Sequence, residues 1–500
     1  MRLKFCLNCV ILLSVIHTSF GWRQFWKGRR TGGNLGGAFG HNGLSAEIGN
    51  LPPEEWFEQL LDHFNPTNTA TWKQRFYTNN EYYQPGGPVF LMIGGEGAAT
   101  ADWMVKGAWV RYAKEHKALC FQLEHRFYGK SHPTEDLSTE NLVYLSSEQA
   151  LADLAYFIIA MNEKFNLNRD TKWIAFGGSY PGSLAAWLRL KYPYLVHGSI
   201  SSSGPLLAKA DFKEYFEVVK DSLGSYSGDC VTAVQKSIQQ VEILLKHRVG
   251  MIGLNDKFKL CDPVENSIEN PLDISNLFES LAGNFAGVVQ YSDDNRSTKT
   301  KPMDINDVCR IMVNSTIGTP VDRLAEVNSL LLIQSKEKCL DYKYDKMLDE
   351  MRNTSWEATV AEGGRQWTYQ TCTEFGFYQT SDDKNLVFGD RFPVEFFVRQ
   401  CVDFFGKQFD DKFLEKAIFR SNANYGALDP ETTNVIYVHG SIDPWHALGL
   451  TKAVNDQMPA IYIEGTAHCA NMYEPADNDL PQLKAARVEI NKFIKNLIQS

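Results

Sequence analysis

Beyond its first twenty residues the sequence has no apolar run approaching the roughly 18 residues that cross a bilayer as a helix, so no membrane anchor is expected. After Cys6 and Cys9 it has no CxxC pair, which removes the commonest thiolate zinc spacing and leaves no reason to expect a metal or other cofactor. The glycine run Gly94-Gly95-Glu96-Gly97 lacks the lysine of a phosphate-binding loop. Positive charge is scarce. The formal net charge is −10, and Arg2, Lys4, Arg23, Lys27, Arg29 and Arg30 against Glu47 make the first fifty residues basic, so residues 51–500 stand at −15. An acidic body of that kind repels phosphate backbones, and nucleic acid is not an expected partner. No internal repeat is visible.

What remains is ordinary globular usage, 44% apolar and 22% charged over 500 residues, enough for about two or three folding units. Arg2 and Lys4 precede the apolar run Phe5 to Ile16 and the small residues Ser19 and Gly21, the pattern of a signal peptide over residues 1–20. Residues 21–50 are rich in Gly, Arg and Asn and read as a flexible leader. Export to a secreted or lysosomal destination is the expectation. The eight cysteines left, Cys120, Cys230, Cys261, Cys309, Cys339, Cys372, Cys401 and Cys469, then sit where disulfides persist, with the pairing open. Sequons at Asn295, Asn314 and Asn353 fit the same compartment and mark glycosylation sites on surface loops.

From Pro88 onward, short apolar runs end in glycine or charged residues: Pro88 to Ile93, Ala118 to Leu123, Trp173 to Phe176 and Gly198 to Ile200. The stretches Glu148 to Phe165 and Gly182 to Tyr192 between them have helical spacing. Strands alternating with helices imply a mostly parallel sheet covered on both faces, an α/β fold over residues 51–209. From 210 to 350 the chain reads as a helical cap, with Phe212 to Leu223, Val231 to Arg248 and Val321 to Ser335 as helices. Strand signals resume over 351–500 at Asn434 to Val438 and Ala460 to Ile463, and a helix from Leu480 to Ile498 closes the chain.

The chemistry concentrates where strands end. Trp173 to Phe176 runs into Gly177-Gly178-Ser179-Tyr180-Pro181-Gly182 and then a helix, the strand–turn–helix setting of a nucleophile elbow. The pattern departs from G-x-S-x-G, because Pro181 stands where the second glycine is expected and Gly182 follows it. Serine needs a base held by an acid, and α/β-hydrolases supply these in the order Ser, Asp, His. Asp443 follows the strand Asn434 to Val438, and His468 follows Ala460 to Ile463. Asp429 could instead cap a turn, and His439 or His446 could be the base. An oxyanion hole would take N–H groups from Tyr180 and from Gly95, and Trp445, Trp367 and Tyr369 are candidates for an apolar substrate pocket.

Four ordered motifs, Leu123-Glu124-His125-Arg126-Phe127-Tyr128-Gly129, the elbow, Tyr369-Gln370-Thr371-Cys372-Thr373-Glu374-Phe375-Gly376 and Gly440-Ser441-Ile442-Asp443-Pro444-Trp445, together resemble the prolyl-type serine carboxypeptidase family. The resemblance implies an α/β-hydrolase fold with an inserted helical cap, and a triad of Ser179, Asp443 and His468. It also implies disulfides Cys230 with Cys309, Cys261 with Cys339 and Cys372 with Cys401. Cys120 and Cys469 are left over as buried thiols, although Cys469 beside the base could be reactive. Pro181 stands where relatives usually show alanine, and Gly95 where prolyl-specific members have asparagine. Catalysis is expected to survive both, while preference for proline is left open. The expected function is an exopeptidase on short peptide substrates. An esterase or lipase on the same scaffold, or a hydrolase-like binding protein without activity, is the alternative, and a homodimer stays open.

Overall fold

The computed structural model describes residues 51–293, 302–382 and 387–500. The signal and leader segments (1–50) and the sequon at Asn295 lie outside the described residues. Asn314 and Asn353 are exposed.

Among the described residues the strands are β1 (Glu55–Leu60), β2 (Thr71–Asn79), β3 (Val89–Ile93), β4 (Leu119–Leu123), β5 (Trp173–Gly178), β6 (Gly198–Ser202), β7 (Lys209–Asp211), β8 (Gly376–Tyr378), β9 (Val435–Gly440) and β10 (Ala460–Ile463). Eight of them form one sheet in the order β1-β2-β4-β3-β5-β6-β9-β10, and β7 pairs with β8 separately. From β4 to β10 every pairing is parallel, while β1 and β2 run antiparallel at one edge. This order, with a serine turn after the fifth strand, is the α/β-hydrolase fold.

Side chains alternate across each central strand, and that alternation divides the interior in two. Val89, Leu91 and Ile93 of β3 join one buried cluster, and Phe90 and Met92 the other. Trp173 and Ala175 of β5, and Val435 and Tyr437 of β9, face the first; Ile174, Phe176, Ile436 and Val438 face the second. Helices α1 (Ala108–His116) and, at the chain's end, Pro481–Gln499 cover the second face, while α2 (Ser147–Lys164) and α3 (Tyr180–Lys191) cover the first. Both faces are therefore apolar, which is why the strand sequences show continuous runs.

Between β7 and β8 the described residues are mainly helical: α4 (Glu214–Tyr226), α5 (Gly228–Leu244), α6 (Arg248–Phe258), α7 (Pro271–Gln290), α8 (Ile305–Val313), α9 (Pro320–Gln334), α10 (Tyr344–Met351) and α11 (Gly364–Gln370). Two further helices, α12 (Val394–Phe405) and α13 (Asp411–Tyr425), precede β9, which makes Pro481–Gln499 α14. Disulfides Cys230–Cys309, Cys261–Cys339 and Cys372–Cys401 tie this region together, and Cys120 and Cys469 are buried free thiols. No helix among the described residues is long and apolar enough to cross a membrane.

The charged residues of the Leu123–Gly129 motif act as structural pins. The buried Glu124 carboxylate accepts from the Ala99 N–H at 2.9 Å, the Lys130 N–H at 3.0 Å and the Ser131 hydroxyl at 2.7 Å, and pairs with Arg75. Arg126, also buried, binds Asp153 of α2 in two bonds of 2.6 Å and donates to the carbonyls of Leu61 and Tyr144. Removing one member of a buried pair strands the other charge, at about 3–5 kcal/mol. Asp153→Asn is expected to lower the unfolding free energy by that amount in chemical denaturation; a loss below about 1 kcal/mol would mean the pair is not fixing the loop after β4.

Candidate active site

Ser179 sits between the end of β5 and the start of α3 with φ 65° and ψ −135°. A residue with a side chain adopts that backbone only at a cost of about 1–3 kcal/mol. The turn exists because backbones approach closely around it. A Cβ on Gly177 would lie 1.9 Å from the Pro181 carbonyl oxygen, and one on Gly182 would lie 2.6 Å from the Ser202 carbonyl oxygen. The second contact explains the shifted glycine: position 182, not 181, meets β6. Pro181 occupies the first helical turn, where its missing N–H has no intrahelical acceptor to lose. The serine N–H donates to the Ser202 carbonyl at 2.9 Å, and the Gly182 N–H donates to the Ser179 carbonyl at 2.8 Å.

Asp443 and His468 stand in the loops after β9 and β10, both buried. Asp443 Oδ1 accepts from the Trp445 N–H at 3.1 Å, and Oδ2 lies 2.9 Å from His468 Nδ1. His468 Nε2 has no hydrogen-bond partner among the described residues. Burial alone would lower the His468 pKa, but the Asp443 carboxylate and Cys469 outweigh it and hold the value well above the ordinary one. Burial raises Asp443, and His468, His439 and the Ser203 hydroxyl together outweigh that, so the carboxyl stays below its usual range.

The end of β6 joins elbow and base loop. Ser202 takes the Ser179 N–H on its carbonyl, and its hydroxyl accepts from Asn471 Nδ2 at 2.8 Å. The Ser203 hydroxyl accepts from the Cys469 N–H at 2.9 Å and hydrogen-bonds Asp443. His468 is held from the other side as well, its N–H donating to the Gln290 carbonyl at 3.0 Å. Gln290 is the last residue of α7. Its side-chain Oε1 accepts from the Tyr215 hydroxyl at 2.7 Å and from Trp445 Nε1 at 3.0 Å.

A narrow cleft opens over the serine, lined by Glu96, Ser179, Tyr180, Pro205, Gln290, Trp367 and Trp445. Trp445 and Trp367 line this space. Tyr369 does not: two residues beyond Trp367 it points off the other side of α11 and packs against Phe405 and Phe409. His439 is a buried strand residue whose pKa burial pushes down to about 4, and its ring fills the space beside Gly449. His446 packs edge-on against Tyr462, and Asp429 lies in the turn after α13. Ser203, Gln290, Glu96 and Asn471 were not singled out from sequence.

The Tyr369–Gly376 motif reaches the elbow through hydrogen bonds. His125 Nδ1 lies 2.7 Å from the Arg126 carbonyl, so it carries the proton, and Nε2 accepts from the Tyr180 hydroxyl at 3.1 Å. That hydroxyl accepts from Gln370 Nε2 at 3.0 Å, and Gln370 Oε1 accepts from Tyr128 at 2.7 Å. Gln370 Nε2 also reaches Glu374 at 3.3 Å, and Glu374 accepts from the Ser147 N–H and hydroxyl. Burial pushes the Glu374 carboxyl up to about 7.

The family model described as serine carboxypeptidase S28 matches residues 59–490. Human thymus-specific serine protease is 34% identical over 450 residues, covering 88% of this chain and 85% of that protein, and the mouse protein is 33% identical over 467 residues, covering 91% and 90%. Bovine lysosomal Pro-X carboxypeptidase is 28% identical over 457 residues, covering 89% and 87%. Among solved structures, a proline iminopeptidase from Mycobacterium smegmatis aligns with a TM-score of 0.39 at 11% identity, covering 89% of this chain and 99% of its own.

Glu374 gives a pH signature. Folded, it keeps its proton up to about pH 7; unfolded, it loses it near 4.5. Between those values the folded state binds more protons, so this group's contribution to stability is full below pH 4.5 and declines toward pH 7, by up to roughly 3 kcal/mol. Glu374→Gln, neutral throughout, is expected to flatten the fall of unfolding free energy over that window in denaturant titrations at stepped pH. An unchanged slope would show that the carboxyl does not titrate there.

Proposed function

The chain belongs to the serine carboxypeptidase S28 family, and from that premise we propose that Ser179 is its nucleophile, His468 its base and Asp443 its acid. The observation that carries the reading is the buried Asp443–His468 pair, 2.9 Å apart, with its loop bound to the same strand end that holds the serine turn. His468 Nε2 takes the Ser179 proton as Oγ attacks the peptide carbonyl. The carbonyl oxygen becomes an oxyanion held by the N–H groups of Tyr180 and Gly95. The Tyr180 N–H opens α3, where the helix end favours negative charge. Collapse expels the amine, which takes its proton from His468; water then repeats the sequence and frees the acyl group. Asp443 stabilises the imidazolium between these steps, in keeping with the raised histidine pKa.

The α4–α10 region acts in this reading as a cap, because Gln290 from α7 walls the pocket. A small pocket under such a cover admits a chain end rather than a folded loop, which supports an exopeptidase on short peptides of a secreted or lysosomal compartment. Trp367 and Trp445 offer aromatic faces to an apolar residue, and proline is a fitting occupant given the relative named for Pro-X cleavage. Hydrolysis of a mixed peptide library, with and without proline and blocked at either end, tests the reading against acyl esters. Ester cleavage with no amidase activity at any pH would overturn it.

Ser179→Ala is expected to remove both turnover and labelling by a fluorophosphonate, at least 10⁴-fold in kcat. Because the base must be neutral and its pKa is raised, kcat/KM should fall as the pH drops through a value above 6.5. Asp443→Asn should cut kcat by about 10⁴-fold and move that acid limb downward, since burial then acts without the carboxylate. A pH–rate profile with the limb unmoved would remove Asp443 from the assignment.

A further inference from the structure

Two residues that stand out from the elbow and loop patterns touch each other. A Cβ built on Gly95 would lie 2.4 Å from Pro181 Cγ and 2.7 Å from Pro181 Cδ. Carbon atoms in contact stand about 3.5–4.0 Å apart, so the bare face of Gly95 rests on the proline ring. A ring carbon cannot swing aside as the tip of a long side chain does.

Neither partner has room to retreat. Behind the loop, a Cβ on Gly94 would lie 2.5 Å from the Leu123 carbonyl oxygen and 2.8 Å from the His125 nitrogen, and the Gly94 N–H already donates to Leu123 at 2.8 Å. That part of β4 is held in turn by the Glu124 N–H, which donates to the Arg75 carbonyl at 3.0 Å. Behind the proline, its carbonyl oxygen lies against Gly177 of β5, where a Cβ would come within 1.9 Å. The layers run β4 backbone, Gly94-Gly95 loop, Pro181 ring, β5 backbone, with no Cβ between any of them.

We propose that Pro181 is a positioning residue: its ring is the spacer that sets how far the Gly95 loop stands from the first turn of α3. The proposal rests on Gly95 and Tyr180 being the oxyanion donors. The ring then fixes the separation of those two N–H groups, and the residue tolerated at 95 depends on the residue at 181. Oxyanion donors act only when held in place for the transition state, so the spacer acts on kcat and leaves substrate binding nearly unchanged.

Gly95→Ala is expected to lower kcat about 100-fold with KM changed less than about threefold, the cost of losing one oxyanion donor. Pro181→Ala, which removes the spacer and keeps the helix, should lower kcat about tenfold. The double variant should recover at least tenfold over Gly95→Ala, because the alanine methyl then occupies space the ring has left. Thermal unfolding of each variant separates misfolding from misplacement. If Gly95→Ala does not fold, the double variant should, and its unfolding temperature should return to that of Pro181→Ala.

Full activity in either single variant, or a folded double variant no better than Gly95→Ala, overturns the spacer. Failure of the underlying reading looks different: wild-type protein with normal unfolding would not react with a fluorophosphonate at Ser179, or Ser179→Ala would keep its activity.

Discussion

Backbone packing at the carboxyl ends of β5 and β6 is the constraint on which the rest depends. A serine held at φ 65° is a strained residue, and nothing in its own side chain stabilises that conformation. The strain persists because the elbow is wedged between β6, met by Gly182, and β5, met by Gly177, with its N–H committed to Ser202. A cost of about 1–3 kcal/mol is small against the burial of two apolar layers on the sheet. In return, the serine stands at a helix N-terminus. The flanking glycines belong to the same constraint, since each marks a place where backbone meets backbone.

Placing the base and acid is a different physical problem, because it asks for two ionisable groups in a buried site. Asp443 and His468 are each unfavourable there alone, and together each offsets the burial cost of the other. Their loops then need alignment, and polar groups supply it. Ser203 binds Cys469 and Asp443 together, and the Gln290 carbonyl receives the His468 N–H. That last bond makes α7 part of the site. The helical region therefore gives the cleft one wall and also holds the His468 loop, so movement of α7 would displace His468 and Trp445 at once.

The sheet was legible because its strands are buried on both faces and read as continuous apolar runs that end in glycine or charge. The edge strands β1 and β2 were missed: Glu55–Leu60 and Thr71–Asn79 mix polar and apolar residues, being partly exposed. The order of Ser179, Asp443 and His468 was visible since each follows a strand, and strand ends are where this fold carries chemistry. Tyr369 was misplaced because a motif is a string, whereas α11 turns its neighbours to opposite sides. Gln290 and Ser203 carried no signal. One closes an apolar helix and the other stands in a run of serines, and only the third dimension brings them to the histidine.

The motifs that betray the family are mostly silent about substrate, and their contacts explain why. Glu124 and Arg126 spend their charges on Arg75, Asp153 and backbone groups, and Gln370 and Glu374 spend theirs on Tyr128, Tyr180 and Ser147. All are buried polar groups, where loss of one partner strands another, so their sequence is constrained whatever the enzyme cuts. The pocket walls come mostly from other stretches: Glu96 from the loop after β3, Gln290 from α7 and Trp367 from α11, with Trp445 closing the Gly440–Trp445 motif. These four are far apart in the chain, and Gln290 and Trp445 are themselves tied to each other and to the His468 loop. Such an arrangement puts most of the family's strings and most of the pocket's walls in different parts of the fold. For that reason the family can be read from short strings, whereas the preferred residue has to be read from the pocket.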